Sequence, residues 1–255
     1  MTQAGILALY LAFFGCELIF ETTLTFLNMR TMRMNSARIP PLFESYIDRP
    51  DYETSVRYGL TRGRFAIAVS LISAAVVLAV VLSGFLGVVD SAVAGIGLPP
   101  GVEGVLFVVV VAGVFHMASI PASVYGRFVI EERFGFNTMT VKTFIIDEIK
   151  SLTLSALIGV PVLLLLFWFV RSAGAYWWLI AFAVIAGLQL IFAVIYPVLI
   201  APLFNKFTPL EPGSLRTRIE ELAAKLNFKI SGVFVMDGSK RSRHSNAYFT
   251  GLGKS

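Results

Sequence analysis

The sequence predicts an all-α polytopic membrane protein, in which five transmembrane helices precede the start of a cytoplasmic α+β domain. Five long apolar runs and a one-sided distribution of basic residues predict this fold class. The composition agrees, because 56% of the 255 residues are hydrophobic and 15% are charged, whereas soluble domains average about 25% charged residues. The expected transmembrane domain covers residues 1–204, with approximate spans at 4–27, 65–89, 104–126, 151–170 and 176–200.

The second apolar run has the length of a membrane span. Phe65–Val89 contains no charged residue, and as a helix it would extend about 37 Å at about 1.5 Å per residue. A bilayer core is about 30 Å thick, so this run is long enough to cross it. The three runs that follow have a similar composition.

The first run differs because it contains Glu17 and Glu21, which lie four positions apart and share a helix face. Carboxylates inside a membrane are costly and usually face a cavity or a partner. Glu17 is interpreted either as part of a polar lining or ion site, or as a structural residue. For Glu21, an ion pair with Arg30 or Arg33 near the membrane surface is favoured.

His116, in the middle of the third run, is one of two histidines in the chain. It could be a metal ligand or a proton carrier. The commoner state of such a histidine is a neutral ring that is hydrogen-bonded to a neighbouring helix, and that interpretation is favoured.

The basic residues predict the orientation in the membrane. Asn28–Arg64 contains seven of them, Arg127–Lys150 four and the tail after Ala201 nine, so that Arg171 alone lies on the other side. By the positive-inside rule the N-terminus is outside and the C-terminal tail is cytoplasmic. This topology accounts for the formal net charge of +5, and nucleic-acid binding is not predicted.

The first cytoplasmic connection is long enough to form structure of its own. Pro40 and Pro41 divide it, and apolar residues recur at helical spacing between Leu42 and Gly63, on both sides of Pro50. This pattern predicts a pair of short helices on the membrane surface. Their role would be a basic anchor against anionic lipid or a lid over a cavity, and the anchor is favoured.

The second cytoplasmic connection contains Gly135 and Asn137, which suit a turn at the end of a helix. An amphipathic helical stretch is predicted from Thr140 onward, with Asp147 toward its polar side.

Residues 205–255 predict the incomplete N-terminal part of a globular domain. Ser214 is the expected N-cap of a helix that ends near Asn227. A short buried strand at Val233–Met236, a basic loop at Ser239–His244 and a second strand at Asn246–Thr250 would follow. The basic loop is either solvated or a site for phosphate or lipid headgroups. One helix and two strands are too few to enclose a core.

Familiar catalytic and metal-binding motifs are absent from these residues. The sequence contains no His-Glu-x-x-His, no cysteine pair at metal-binding spacing, no phosphate-binding glycine loop and no Gly-x-Ser-x-Gly. The single cysteine, Cys16, excludes a disulfide framework.

Three stretches carry a resemblance to a known family. Residues 237–251 read DGSKRSRHSNAYFTG, residues 128–137 read FVIEERFGFN and residues 201–210 read APLFNKFTPL. In this order, with apolar runs between them, they resemble the type I CAAX prenyl endopeptidases. These are integral-membrane zinc metalloproteases that cleave after a prenylated cysteine. The resemblance extends over essentially the whole chain.

The resemblance implies a fold and a substrate site. Members of the family have seven long helices around an intramembrane chamber, with a cytoplasmic protease domain that begins after the fifth helix. Asn246, Ala247 and Tyr248 would form the edge strand beside the active site, where backbone hydrogen bonds hold an extended peptide. The alternative for this segment is an ordinary interior strand.

The resemblance also implies a zinc cofactor for the complete protein. In the family the metal is held by the histidines of a His-Glu-x-x-His helix and by a further glutamate, and here these residues would follow Ser255. On this interpretation residues 205–255 begin a zinc metalloprotease domain. The chain itself then has no catalytic or metal-binding residue, binds no zinc alone, and is expected to be inactive.

Two other functions stay open at this point. The chain could be a non-enzymatic membrane scaffold or regulatory protein that retains the chamber wall. A transporter is the least favoured alternative, since no inverted repeat or broken helix is evident.

The expected partners are membrane lipid and a peptide or lipidated protein. The expected location is the bacterial inner membrane, with the endoplasmic reticulum as the alternative, because the loops are compact and no targeting extension precedes them.

Overall fold

The computed structural model describes residues 2–249 and confirms the predicted fold class. Five of its helices are long and apolar enough to cross a membrane. They cover Ala4–Met34, Arg49–Leu82, Pro100–Glu131, Val141–Ser172 and Gly174–Phe204. Most of their large apolar side chains are exposed in the chain, which is expected of surfaces that contact lipid or further protein. The chain divides into two compact units, residues 1–135 and 136–255.

The first unit contains four helices, α1 to α4. Their bounds are Gln3–Met34 for α1, Arg49–Leu82 for α2, Phe85–Ala94 for α3 and Pro100–Tyr125 for α4. A π-helical segment, Gly126–Glu131, extends α4. Between α1 and α2 lies one short 3-10 turn, Pro41–Phe43.

The prediction of two short surface helices between residues 42 and 63 is wrong. Instead, α2 begins at Arg49 and runs without interruption into the apolar span. Asp48 starts the helix, because its side chain accepts a hydrogen bond from the Asp51 N–H at 2.9 Å, and Pro50 is favourable in a first turn. The helical spacing after Pro50 was detected correctly, but it belongs to the N-terminal extension of a membrane-spanning helix.

The far end of α2 also differs from the predicted span. The helix ends at Leu82, seven residues before the predicted end at Val89. Gly84 follows with φ of +79°, and α3 begins directly after it. Glycine adopts this left-handed conformation without steric penalty, so the uninterrupted apolar composition concealed a break between two helices.

Two glycines allow α1 and α2 to approach closely. A Cβ atom on Gly59 would overlap the terminal Cε of Met32, and a Cβ on Gly63 would lie 2.5 Å from Sδ of Met29. These glycines are four positions apart and therefore lie on one face of α2, the arrangement typical of closely packed membrane helices.

The second unit begins with α5, Val141–Ser172, whose N-cap is Thr140. The Thr140 hydroxyl accepts a hydrogen bond from the Thr143 N–H at 3.1 Å. The predicted amphipathic stretch and the fourth span are thus one continuous helix. Helix α6 covers Trp177–Ile195, a π-helical segment covers Tyr196–Ile200, and the short α7 covers Ala201–Phe204.

The polar tail of the second unit contains two short strands and one helix. Strands β1, Phe207–Pro209, and β2, Phe234–Met236, pair in antiparallel orientation. Helix α8 lies between them at Ser214–Lys225. Gly213 is its N-cap, without a side-chain hydrogen bond, so the prediction of Ser214 as N-cap is wrong by one residue.

The helix end was predicted near Asn227, and this residue has the left-handed conformation of a helix terminus, with φ of +53°. The Phe228 N–H donates to the Ala223 carbonyl at 2.8 Å and the Asn227 N–H to the Ala224 carbonyl at 3.0 Å. This pair of bonds satisfies the last carbonyls of α8.

Candidate functional site

The candidate site is the segment 237–249, which follows β2 within the second unit. Strand β1 holds its beginning, because the pairing places Phe207 opposite Met236. The Asp237 N–H donates to the Lys206 carbonyl at 3.1 Å, which extends the two-stranded ladder by one bond. The segment therefore leaves the sheet from a fixed position.

Asp237 stabilises the start of the segment with its side chain. Its carboxylate accepts a hydrogen bond from the Lys206 N–H at 2.7 Å and forms an ion pair with Lys240. Donation from Lys240, and then from the Lys206 backbone, lowers the pKa of Asp237 below its usual value. The carboxylate is thus ionised at neutral pH and closes the 3-10 turn Gly238–Lys240.

Arg241 is the central residue of the segment. Its Nε donates to Asp147 Oδ2 at 2.6 Å and its Nη2 to Asp147 Oδ1 at 3.0 Å, a bidentate ion pair with α5. Its Nη1 donates to Asn205 Oδ1 at 2.9 Å, and Nη2 also donates to the Phe204 carbonyl at 2.7 Å. The side chains of Arg241 and Asp147 are 22% and 16% exposed. The guanidinium thus joins the segment to both α5 and the end of α7.

The bidentate pair also affects the ionisation of the arginine. Hydrogen bonding to Asp147 raises the pKa of Arg241, against the opposing effect of burial. A planar guanidinium matches a carboxylate with two parallel bonds and still has donors for two further acceptors. Lysine could not reproduce this set of bonds.

Backbone hydrogen bonds hold the same segment against residues 136–139. The Arg243 N–H donates to the Phe136 carbonyl at 2.9 Å, and Ser242 pairs with Asn137 in an isolated antiparallel bridge. The Thr138 hydroxyl donates to the Ser239 carbonyl at 2.6 Å. The His244 ring stacks on Phe136, with a centroid distance of 4.1 Å and an interplanar angle of 20°. Residues 239–244 are therefore held from two sides.

The predicted substrate residues Asn246, Ala247 and Tyr248 follow this anchored part and are exposed. The Ala247 N–H donates to Asn246 Oδ1 at 2.8 Å. The Tyr248 hydroxyl lies 4.0 Å from Sδ of Met236, the last residue of β2. Among residues 2–249, these three make no backbone hydrogen bond to another segment.

The predicted second strand is therefore not formed in the described residues. Asn246 to Phe249 have no regular secondary structure, and Thr250 lies outside the described residues. An edge strand needs a partner whose N–H and C=O groups meet its own. In the described residues β1 and β2 bond to each other, and neither strand is bonded to this segment.

The other residues considered from sequence lie elsewhere. Glu17 and Glu21 are exposed on α1, and in the described part of the chain no ion pair joins Glu21 to Arg30 or Arg33. His116 lies in α4, where its carbonyl accepts a hydrogen bond from the Ser119 hydroxyl at 2.7 Å. None of the three belongs to the candidate site.

Several contributors to the site were missed by sequence reasoning. Asp147 was expected on the polar side of a helix without a partner, and no strand was expected at Phe207–Pro209. The basic loop was expected to be solvated or to bind anions, yet Arg241 is mostly occupied by protein acceptors. The signal that could have indicated the pair was the opposite charge of Asp147 on the polar side of α5 and of the basic loop.

The residues at hand do not fit a zinc centre. Within residues 2–249, no three His, Cys, Asp or Glu side chains are arranged to hold a metal ion. His244, the histidine of the candidate site, stacks on a phenylalanine ring. A zinc site therefore cannot be built from the described residues.

The comparisons with known proteins agree with this architecture. A family model described as "CAAX prenyl protease N-terminal, five membrane helices" matches residues 28–206, and a model of peptidase family M48 matches residues 209–255. The chain is 37% identical to CAAX prenyl protease 1 homolog of Arabidopsis thaliana, over 92% of this chain and 57% of the relative. It is 34% identical to CAAX prenyl protease 1 of Saccharomyces cerevisiae, over 91% of this chain and 53% of the relative.

A solved structure is similar as well. The crystal structure of Ste24p from S. mikatae superposes with a TM-score of 0.86 at 34% sequence identity, over 96% of this chain and 58% of that one. The chain thus spans somewhat more than half the length of these relatives. Because one family model alone covers more than half of its residues, the chain belongs to the CAAX prenyl protease family of membrane-embedded M48 peptidases.

Proposed function

We propose that the full-length protein is a zinc metalloendopeptidase that cleaves peptides of lipidated or membrane-associated proteins. The observation that supports this most is the anchored segment 237–249, in which a fixed base at Arg241 leads to an exposed Asn246–Tyr248. Two named relatives and one solved structure of this family, each at 34% identity or more, support the same activity.

The role of this chain would be to build the membrane part and one wall of the substrate cleft. Asn246, Ala247 and Tyr248 would bind the peptide through their backbone, because an unpaired extended segment can accept an added strand. Tyr248 would also give the peptide an aromatic surface at the end of β2. Arg241 would act as a positioning residue for these three.

The zinc ion would be held by residues outside this chain. A His-Glu-x-x-His helix after Ser255 would supply the metal ligands, and zinc bound there would activate a water molecule and polarise the scissile carbonyl. The coverage of little more than half of each relative is compatible with this arrangement. The 255 residues alone would then neither bind the catalytic zinc nor hydrolyse peptides.

The orientation and the membrane are also part of the proposal. The basic connections would lie in the cytoplasm and the N-terminus outside. Relatives from a plant and a yeast favour the endoplasmic reticulum over the bacterial inner membrane. A chamber open to lipid would accept an acyl or prenyl group while the cleft reads the peptide, so membrane lipid and a lipidated substrate are the proposed partners.

Peptide cleavage by the full-length protein in lipid nanodiscs tests this function. We expect zinc-dependent cleavage of a farnesylated peptide, lost with a chelator and restored by zinc. Replacing Ala247 by proline removes one N–H, which donates to Asn246 Oδ1 in the free protein and would donate to the bound peptide in the complex. One backbone hydrogen bond is worth about 0.5–1.5 kcal/mol, so kcat/KM should fall about two- to tenfold. Ala247→Ser keeps the N–H and is the matched control.

Two outcomes would contradict parts of the proposal. If the full-length protein neither binds zinc nor cleaves any lipidated peptide, the non-enzymatic scaffold becomes the better account. If cleavage is zinc-dependent but Ala247→Pro is as active as Ala247→Ser, the protease assignment survives and the backbone role of this segment does not.

A further inference from the structure

A basic cavity lies in the first unit, and none of the residues 237–249 lines it. It has a volume of about 390 Å³ and lies between the cytoplasmic extension of α2 and the residues after the π-helical segment. Arg57, Arg64 and Arg133 line it together with the hydroxyl-bearing Thr54 and Thr61. Three guanidinium groups with two hydroxyl groups form a donor-rich surface.

The spacing of the residues explains why they meet. Thr54, Arg57, Thr61 and Arg64 are separated by three or four positions, which places them on one face of α2. The Arg57 guanidinium donates to the Thr54 hydroxyl at 3.0 Å, and this bond orients it along that face. Arg133 approaches from the other element.

A clamp next to the cavity holds its two walls together. The Glu131 carboxylate accepts a hydrogen bond from the Tyr58 hydroxyl at 2.7 Å and from Arg62 at 2.8 Å. The Tyr58 ring packs edge-on against Phe134 with a centroid distance of 5.1 Å. Residues 131–134 are therefore fixed against α2, and Arg133 is carried with them.

The cavity lining carries positive charge without a compensating carboxylate. No Asp or Glu lines it, and in the described part of the chain Arg57, Arg64 and Arg133 form no ion pair. By contrast, Arg62, outside the lining, is paired with Glu131. An anion from outside the chain would satisfy the three guanidinium groups.

The position of the cavity indicates the source of that anion. Arg64 is the last charged residue before the apolar run that begins at Phe65, so the cavity lies at the level of lipid headgroups on the side rich in basic residues. Leu60 and Phe134 add an apolar wall. Guanidinium groups bind phosphate with paired hydrogen bonds, and basic pockets beside membrane helices bind anionic headgroups.

We propose that the Arg57–Arg64–Arg133 cavity is a phosphate-binding site for the headgroup of an anionic membrane lipid. The ligand class is a phosphate monoester on a glycerol or similar backbone, with its acyl chains outside the cavity. The site needs neither zinc nor peptidase activity, so it stands independently of the proposed protease function.

Lipid binding to the full-length protein tests this site. The probes are phosphatidic acid in phosphatidylcholine nanodiscs, phosphatidylcholine alone, and soluble glycerol phosphate. We expect phosphatidic acid to bind, phosphatidylcholine to bind far more weakly, and the affinity to fall with rising salt. Arg64→Gln and Arg133→Gln should each weaken binding about fivefold, following the value of one basic residue at a charged membrane surface.

A matched control separates a built site from general surface charge. Arg38→Gln removes an exposed arginine from the same cytoplasmic connection, outside the cavity lining, and should leave the affinity unchanged. Arg64→Lys keeps the charge but loses the paired geometry, so it should retain only part of the binding. An unchanged thermal transition in each variant checks that it folds.

Three results would overturn the proposal. Equal weakening by Arg38→Gln and Arg64→Gln would indicate a diffuse basic surface. Wild-type affinity in Arg64→Gln and Arg133→Gln would exclude the cavity. If glycerol phosphate binds as tightly as phosphatidic acid, the ligand is a soluble phosphate compound and the assignment to lipid is wrong.

Discussion

The Arg241–Asp147 pair should determine whether the segment 237–249 stays in place. Replacing Arg241 by alanine removes four hydrogen bonds and leaves the Asp147 carboxylate, which is 16% exposed, without this counter-ion. We expect the segment to detach locally while the membrane helices stay folded, because a helix in lipid satisfies its backbone groups internally and does not depend on these four bonds.

The magnitude follows from the degree of burial. Breaking a fully buried ion pair costs about 3–5 kcal/mol, and an exposed pair is worth about 0–1 kcal/mol. Side-chain exposures of 22% and 16% place this pair between the two, so Arg241→Ala should cost about 2–3 kcal/mol. Arg241→Lys keeps the charge but not the fork of donors, and should cost about 1–2 kcal/mol.

Backbone hydrogen exchange of the full-length protein measures this cost locally. The reporter is the Arg243 N–H, which is bonded to the Phe136 carbonyl at 2.9 Å. A loss of about 2 kcal/mol corresponds to roughly 30-fold faster exchange. The Leu210 N–H, bonded to the Val233 carbonyl at 2.8 Å, should be unaffected.

A double-mutant cycle with Asp147→Asn assigns the effect to the pair. The coupling energy between Arg241 and Asp147 should be about 1–3 kcal/mol. Arg243→Lys is the control, since only the backbone of Arg243 takes part in the hydrogen bonds described above. Additive effects of the two substitutions, or equal acceleration of exchange by Arg243→Lys, would show that the Arg241–Asp147 pair does not hold the segment.

Three further outcomes are expected. The folded-state pKa of Asp237 is lowered, so its ionised carboxylate stabilises the fold above its unfolded pKa of about 3.9. The free energy of unfolding of the wild type should therefore exceed that of Asp237→Asn at neutral pH. This difference should vanish as the pH falls through the folded-state pKa. Gly63→Ala should lower the thermal transition temperature in detergent, because the new methyl group would overlap Sδ and Cγ of Met29. Gly59→Ala should leave it unchanged, because the overlapping atom is the flexible end of Met32. Equal shifts of the transition temperature would contradict this. Asn227→Gly should raise the free energy of unfolding in urea by a few tenths of a kcal/mol, because glycine adopts the left-handed conformation of Asn227 without steric penalty. A decrease would contradict a left-handed conformation at this position.

The membrane architecture was predictable because it depends on composition over long stretches. A helix in lipid must satisfy all its backbone groups internally, so apolar length alone indicates a span. The ends of the helices were predicted less well, because they depend on single residues and not on composition. Gly84 interrupts an uncharged run, while Asp48 and Pro50 start a helix far earlier than the apolar residues do.

The candidate site was predictable only in part, for a different reason. Family resemblance drew attention to residues 237–251, but the hydrogen bonds that anchor them join residues distant in sequence. Arg241 and Asp147 are 94 positions apart, and no local periodicity relates them. The strand at Asn246–Thr250 was predicted from local propensity, but a strand exists only where a partner supplies the opposing hydrogen bonds.

Photo-crosslinking of a peptide to the full-length protein tests whether residues 246–248 contact the substrate. Benzoylphenylalanine would replace Tyr248 in one variant and, as a control, the likewise exposed Tyr46 of the first connection in another. We expect a farnesylated peptide to crosslink at position 248 and not at position 46, and Arg241→Ala to weaken the crosslink. Crosslinking at position 46 alone, or none at 248 in a protein that cleaves the peptide, would contradict it.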